Sequence, residues 1–183
     1  SRVSHHGWSY FVQTGRKWVF PRQSVAVMNK RVVLIIQARM GSTRLPDKVM
    51  KPMAGMPMIE LLLTRLSLSQ SLNQIVLATS TEARNDPLVD HVSRLGYVCV
   101  RGSESDVLNR YLMAARQVKA DVVVRITGDC PLVDPRLVDE AVERFKQAEV
   151  DYLSNVAPAT YPDGLDIEVF SLEALERAGR ESS

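Results

Sequence analysis

The chain has 183 residues, of which 45% are hydrophobic and 24% charged, and its net charge at pH 7 is +2. That suffices for one α/β domain with a sizeable core. It excludes a globally basic nucleic-acid footprint and any run of roughly 20 apolar residues that would span a membrane. It also excludes a disulfide framework, because Cys99 and Cys130 are the only cysteines and stand far apart. Both read as small buried hydrophobes, and a reducing cytoplasm suits them.

The charge is uneven. Residues 1–29 hold Arg2, Arg16, Lys17 and Arg22 and no acid, so removing these four cations from +2 leaves the remainder at −2. Trp8, Tyr10, Phe11, Trp18 and Phe20 crowd there without a helical or strand period. No apolar core precedes a small-residue cleavage site, so a secretory signal is not expected. Met28 reads as a natural start, and 1–29 as a non-native or disordered extension, with His5-His6 tag-like. The domain is expected over 30–183.

From Arg31 onward strands and helices alternate. The first strand is predicted at 32–37. A helix over 58–69 has Ile59, Leu62, Leu63 and Leu66 on one face. The second strand is 74–78. Asp86-Pro87 then opens a helix to Leu95, with Asp86 as cap and Pro87 in the first turn. Gly96 ends it, and the third strand follows at 97–100. A helix is predicted over 105–118, a fourth strand over 121–126, and a helix opened by Asp134-Pro135 to about Ala148. Short strands are expected at 152–154 and 166–170, and Ser171 caps a last helix. Near-continuous apolar strands alternating with helices specify a three-layer α/β/α fold on a doubly wound, mostly parallel sheet.

In the strand order 3-2-1-4, strands one and four are neighbours, and their C-terminal ends flank the point where open α/β sheets bind ligands. The loop after strand one reads Gln37-Ala38-Arg39-Met40-Gly41-Ser42-Thr43-Arg44-Leu45-Pro46-Asp47-Lys48. Gly41 lets backbone N–H groups approach an anion, Ser42 and Thr43 add hydroxyls, and Arg39, Arg44, Lys48 and Lys51 add charge, as a triphosphate requires. Neither the Walker pattern nor G-x-G-x-x-G is present. The loop after strand four is Thr127-Gly128-Asp129-Cys130-Pro131. Asp129 reads as a magnesium ligand or as a turn residue, and its place beside the cationic loop favours the metal. Asp47 is an acid within a cationic loop and is expected to cap or to pair with Arg44. Thr79-Ser80-Thr81 contacts a base or ribose, or is a hydroxyl-rich turn. Asp106 and Arg110, four apart, bind ligand or pair with each other. Asp166 and Glu168, with Asp163 in the preceding turn, are sugar-binding candidates or the wet side of an edge strand. His91 reads as surface or packing.

Together, 37–48, Arg101-Gly102-Ser103-Glu104, Asp106-Val107-Leu108, Arg110-Tyr111, 125–132 and 161–170 resemble the spore coat polysaccharide biosynthesis protein F group. That group is related to CMP-Kdo synthetase and the acylneuraminate cytidylyltransferases. The resemblance covers about 29–180. It implies a nucleotide-diphospho-sugar transferase (GT-A-like) fold and CTP-dependent activation of a small acidic sugar to a CMP-sugar, with release of pyrophosphate. It implies that Gln37, Ala38, Arg39, Gly41, Ser42, Arg44 and Lys48 hold CTP and that Asp129 binds Mg²⁺. Thr79, Arg101, Gly102 and Ser103 then lie near the nucleoside. Arg44, Lys48 and Asp129 are the expected catalytic set. A cytoplasmic enzyme, a homodimer among its possible states, is expected, without nucleic-acid or membrane partners. Many relatives carry Gly at the position of Asp47, a difference expected to weaken triphosphate affinity. Relatives also continue past Ser183, where a second metal-binding Asp is expected. A nucleotide-binding module without turnover and a sugar transferase on the same fold are the alternatives.

Overall fold

Val32–Gln37 forms the central strand because five consecutive β-branched or leucine side chains are fully buried on both faces of the sheet. The computed structural model describes residues 2–5, 8–11, 30–41, 45–148, 150–156 and 161–181. Along the chain, β1 (Arg2–His5), β2 (Trp8–Phe11) and β3 (Val32–Gln37) are followed by a 3₁₀ turn, Lys48–Met50. Next come the small ribbon β4 (Pro52–Met53) and β5 (Met56–Pro57), α1 (Met58–Leu66), β6 (Gln74–Ser80) and α2 (Asp86–Arg94). The remainder is β7 (Val98–Gly102), α3 (Val107–Gln117), β8 (Val122–Thr127), α4 (Pro135–Ala148), β9 (Tyr152–Ser154), β10 (Glu168–Ser171) and α5 (Leu172–Glu181).

The main sheet runs β1-β2-β9-β10-β8-β3-β6-β7. Its centre, β7-β6-β3-β8, is parallel and has the expected order 3-2-1-4. Beyond β8 the sheet turns antiparallel: β10 pairs with β8 and β9, and β2 pairs with β9. Within 1–29, the described strands β1 and β2 form an antiparallel pair on that flank.

Two apolar layers cover the sheet. On one face Ile59, Leu62, Leu63 and Leu66 of α1, Leu88 and Val92 of α2 and Leu137, Val138 and Phe145 of α4 pack on Leu34, Ile36 and Val124. On the other, Tyr111, Leu112 and Ala115 of α3 and Leu175 of α5 pack on Val33, Ile35, Val123 and Phe170. Each fully buried Leu or Ile contributes about 1.5–3 kcal/mol. Among the described residues, no helix is long and apolar enough to cross a membrane.

Local signals set most boundaries. Gly96, at φ +87°, terminates α2 as its missing Cβ allows. The Ser171 hydroxyl accepts from Ala174 N at 3.0 Å and caps α5. Three expectations are corrected. Asp86 does not cap α2; it is the first helical residue, and its carboxylate pairs with Arg101 at 2.8 Å. Asp106 and Arg110 do not pair: Asp106 caps α3 by accepting from Asn109 N at 2.9 Å, while Arg110 turns inward. Asp166 is not part of a strand with Glu168. The Asn155 side chain accepts from Ile167 N and donates to Leu165 O, both at 2.8 Å, beside one backbone bond from Asn155 N to Ile167 O at 3.3 Å, so this segment is held mainly by an amide and β10 starts at Glu168.

Candidate active site

The loops after β3 and β8 meet at the C-terminal edge of the sheet. Gly128 N donates to Gln37 O at 2.8 Å. A Cβ on Gly128 would lie 2.5 Å from the Ala38 Cβ, so only glycine permits this approach. Between the loops lies a cleft of about 390 Å³, lined by Gln37, Ala38, Arg39, Gly41, Lys48, Arg125, Thr127, Gly128 and Asp129. Five of the expected nucleotide-loop residues and Asp129 therefore share one cavity. Ser42 and Arg44 lie outside the described residues.

Across this cleft the Lys48 ammonium donates to the Asp129 carboxylate at 2.8 Å, with side-chain exposures of 29% and 46%. Burial pushes the Asp129 carboxyl up, but hydrogen bonds from Lys48 and Thr127 outweigh it and hold it below the usual carboxylate range. Asp129 is therefore an anion at neutral pH, available to a cation. Burial pushes the neighbouring Cys130 thiol up, and the charges of Asp129 and Asp166 add to this, so it stays protonated. Lys48 opens its 3₁₀ turn directly after Asp47, which stands at φ 57°, in the left-handed region. The Asp47 side chain makes no capping hydrogen bond; its backbone N–H donates to Met40 O at 3.0 Å and closes the loop. Lys51 is exposed and stands apart from the cleft lining.

The second side of the loop faces β6 and β7. Arg39 donates to Glu104 Oε1 at 2.8 Å, and Arg84 donates to the same oxygen at 2.9 Å. The Ser80 hydroxyl, then the two guanidiniums, hold Glu104 below its usual range against a desolvation penalty. Asn85, fully buried, accepts from Met40 N at 2.9 Å and donates to Ser80 Oγ at 2.6 Å, tying the loop to β6. Thr79 is 1% exposed and is not among the residues that line the cleft. Arg101 donates to Ser80 O and Glu82 O besides pairing with Asp86, so it braces the rim. Ser103 Oγ accepts from Asp106 N at 3.2 Å. A Cβ on Gly102 would lie 2.8 Å from Arg110 Cγ. The buried Arg110 donates to Ser103 O and, at 2.9 Å, to Glu104 O, fixing the turn that carries Glu104. Arg101, Gly102 and Ser103 thus form the outer rim beside Glu104, outside the cleft lining.

Of the three sugar candidates, Asp163 and Asp166 are exposed. Glu168 is engaged: it accepts from Arg125 and from the Tyr152 hydroxyl. Arg125 also lies 5.8 Å from the centroid of the Tyr111 ring. It lines both the cleft and an adjoining apolar pocket of about 350 Å³ between α3 and α5, with Leu108, Tyr111 and Phe170. His91 pairs with Glu60 at 2.9 Å on the opposite layer, a packing role.

Sequence reasoning passed over Arg125, Arg84, Asn85 and Glu104 as individual site residues. Arg125 carried a signal: it is the one charge in Val-Val-Val-Arg-Ile-Thr, a strand whose four aliphatic residues are all buried. Arg84 and Asn85 carried none, because Glu82-Ala83-Arg84-Asn85 reads as an ordinary polar loop.

A family model described as Cytidylyltransferase matches residues 33–181. Over 155 residues the chain is 38% identical to the spore coat polysaccharide biosynthesis protein SpsF of Bacillus subtilis, across 79% of this chain and 65% of that protein. It is 31% identical over 117 residues to a 3-deoxy-manno-octulosonate cytidylyltransferase of Trichlorobacter lovleyi, across 63% of this chain and 45% of that protein. Among solved structures, a cytidylyltransferase from Leptospira borgpetersenii superposes with a TM-score of 0.79 at 36% identity, across 83% of this chain and 65% of that one. The chain spans less than two thirds of the length of each of these relatives. It belongs to the cytidylyltransferase family, on the nucleotide-diphospho-sugar transferase fold.

Proposed function

We propose that the protein carrying this chain transfers the cytidylyl group of CTP to a small acidic sugar for surface polysaccharide synthesis in the cytoplasm, releasing pyrophosphate. The observation that carries this reading is the Lys48–Asp129 pair at 2.8 Å across a cleft whose backbone is pinned by Gly128 and Gln37. It sets a cation from one loop against an anion from the other, as a triphosphate with a divalent counter-ion needs. Family membership and relatives named for sugar cytidylyl transfer and polysaccharide synthesis support it.

In this reading the anomeric hydroxyl oxygen of the sugar attacks the α-phosphorus of CTP, its proton passes to water, and the bond from the α-phosphorus to the oxygen bridging to the β-phosphate breaks, so that pyrophosphate leaves with the bonding electron pair. Lys48 and Arg39, with Arg44, bind the charge that grows on the leaving pyrophosphate. Backbone N–H groups near Gly41 hold the phosphates in line, so catalysis comes from positioning and charge stabilisation. Asp129 would hold Mg²⁺. Among the described residues no three acids, histidines or cysteines converge there. One half-exposed carboxylate fits an ion that keeps several waters and takes phosphate oxygens as its other ligands. When bound, the ion supplies charge neutralisation at the α-phosphoryl group. Arg125, on the wall of the cleft, is a candidate for the carboxylate of the sugar, with Glu168 holding its guanidinium in place.

The test is pyrophosphate release from each nucleoside triphosphate, with Mg²⁺ and a panel of 2-keto acid sugars. It is run on this chain and on a version extended to the length of the relatives. CTP-selective release that depends on an acidic sugar is expected from the extended protein; release with no base preference, or none, overturns the reading. CTP binding by this chain without turnover would favour the second reading, a nucleotide-binding module.

A further inference from the structure

In the charge cluster on the outer side of the nucleotide loop, Arg39 has a part in the reading above, but Arg84 and Glu104 have none. One oxygen, Glu104 Oε1, receives two guanidinium donors, Arg39 Nη1 at 2.8 Å and Arg84 Nη2 at 2.9 Å. Two guanidiniums converging on a single anionic oxygen is how proteins hold phosphate. Arg84 also stands against the loop: a Cβ on Gly41 would lie 2.7 Å from its Cζ and Nη1. Gly41 lines the cleft, and so does Arg39. The contact is built rather than incidental, because the neighbouring Asn85 is fully buried and bonds Met40 N, the residue before Gly41.

We propose that Arg84, together with Arg39, is a binding residue for the terminal phosphates of the nucleotide, and that Glu104 occupies their seat in the free chain. The inference rests on the nucleotide reading of the cleft and adds to it a fourth cation, Arg84, and an internal competitor. A carboxylate brings one negative charge to two positive ones; a β,γ-diphosphate brings more, and so displaces it. The displacement needs little motion. The backbone of the turn stays fixed by Arg110, which donates to Ser103 O and Glu104 O, and only the Glu104 side chain swings toward water. Glu104 is held below the usual carboxylate range by Ser80, Arg39 and Arg84, so the competitor is ionised at neutral pH.

The experiment is calorimetric titration of CTP, CMP and inorganic pyrophosphate into wild type, Glu104→Gln, Arg84→Ala, Arg84→Lys and the Glu104→Gln/Arg84→Ala double variant. Glu104→Gln is expected to tighten pyrophosphate and CTP by about 3–10-fold and to leave CMP unchanged. Arg84→Ala is expected to weaken both by about tenfold, a charge-assisted hydrogen bond in free-energy terms, and to remove most of the gain in the double variant. Arg84→Lys should recover part of the loss.

No tightening in Glu104→Gln, or an Arg84→Ala loss equal for CMP and CTP, overturns the proposal; the second result would make Arg84 a mere support of the loop. The two readings fail separately. If these effects appear with pyrophosphate but the protein prefers no base, the cytidylyl reading falls and the Arg84 seat stands. If CTP binds selectively and neither residue matters, the seat falls and the cytidylyl reading stands.

Discussion

The two sides of the nucleotide loop are held by different physics. Toward β8 the tie is backbone on backbone: Gly128 N to Gln37 O, with the Gly128 Cα against Ala38 and no room for a methyl group. Toward β6 and β7 the backbone is tied by Ala38 N to Ala78 O at 3.3 Å and by Asn85 on Met40 N, and the charged groups meet side chain on side chain, exposed guanidiniums on Glu104. The first side presents Lys48 and Asp129 in fixed places, as a site of chemistry requires. The second is adjustable, since an exposed ion pair is worth little and can be exchanged for a ligand. In the proposed reaction bonds are broken on the first side and charge is gathered on the second.

That contrast can be broken most sharply on the rigid side. Lys48→Ala and Asp129→Ala should each lower pyrophosphate release by the extended protein at least about 100-fold while the protein stays folded, its melting temperature lowered only by the loss of this one ion pair. Normal turnover in either would remove that residue from the chemistry. Gly128→Ala should cost about 1–3 kcal/mol in chemical denaturation, because its methyl must displace Ala38 and the Gln37 carbonyl. Gly41→Ala makes the matching test on the adjustable side. Its methyl meets the far end of a flexible arginine, so stability should change by less than about 1 kcal/mol while pyrophosphate affinity falls with the displaced Arg84. A loss of stability as large as that of Gly128→Ala would erase the distinction.

Acidification loosens both sides. Asp129 and Glu104 sit below their ordinary values of 3.8 and 4.5. The stability each contributes is present above those values and is lost as pH falls through the lower folded ones. The melting temperature of wild type should therefore drop below about pH 4.5. The gap between wild type and Glu104→Gln should close over the same range; a gap that widened on acidification would contradict the assignment. The smallest effect is expected at Asp47. Its φ of 57° lies in the left-handed region, which suits glycine. Asp47→Gly should relieve strain of about 0.5–1 kcal/mol, seen as a slightly higher melting temperature.

Much of this arrangement could be read from the sequence. The run Val32–Ile36, the Gly96 stop and the 3-2-1-4 order are local or topological rules, and they place the loops of Gly41 and Asp129 together. What could not be read depends on side-chain choices made only in three dimensions. Asp86 and Asp106 look alike as helix openers, yet one finds Arg101 across the rim and the other caps its own helix. Asp166 and Glu168 alternate like a strand, but the Asn155 amide takes the backbone of Leu165 and Ile167 first. Arg84 reaches Gly41 over a long sequence gap that no periodicity spans.

The central claim is that the loops after β3 and β8 form one triphosphate site. Hydrogen exchange of this chain with and without CTP tests it directly. Joint protection of residues 37–41 and 127–130, absent with CMP and lost in Lys48→Ala, is the expected result. Protection of neither loop, or of the α3–α5 pocket instead, would contradict it.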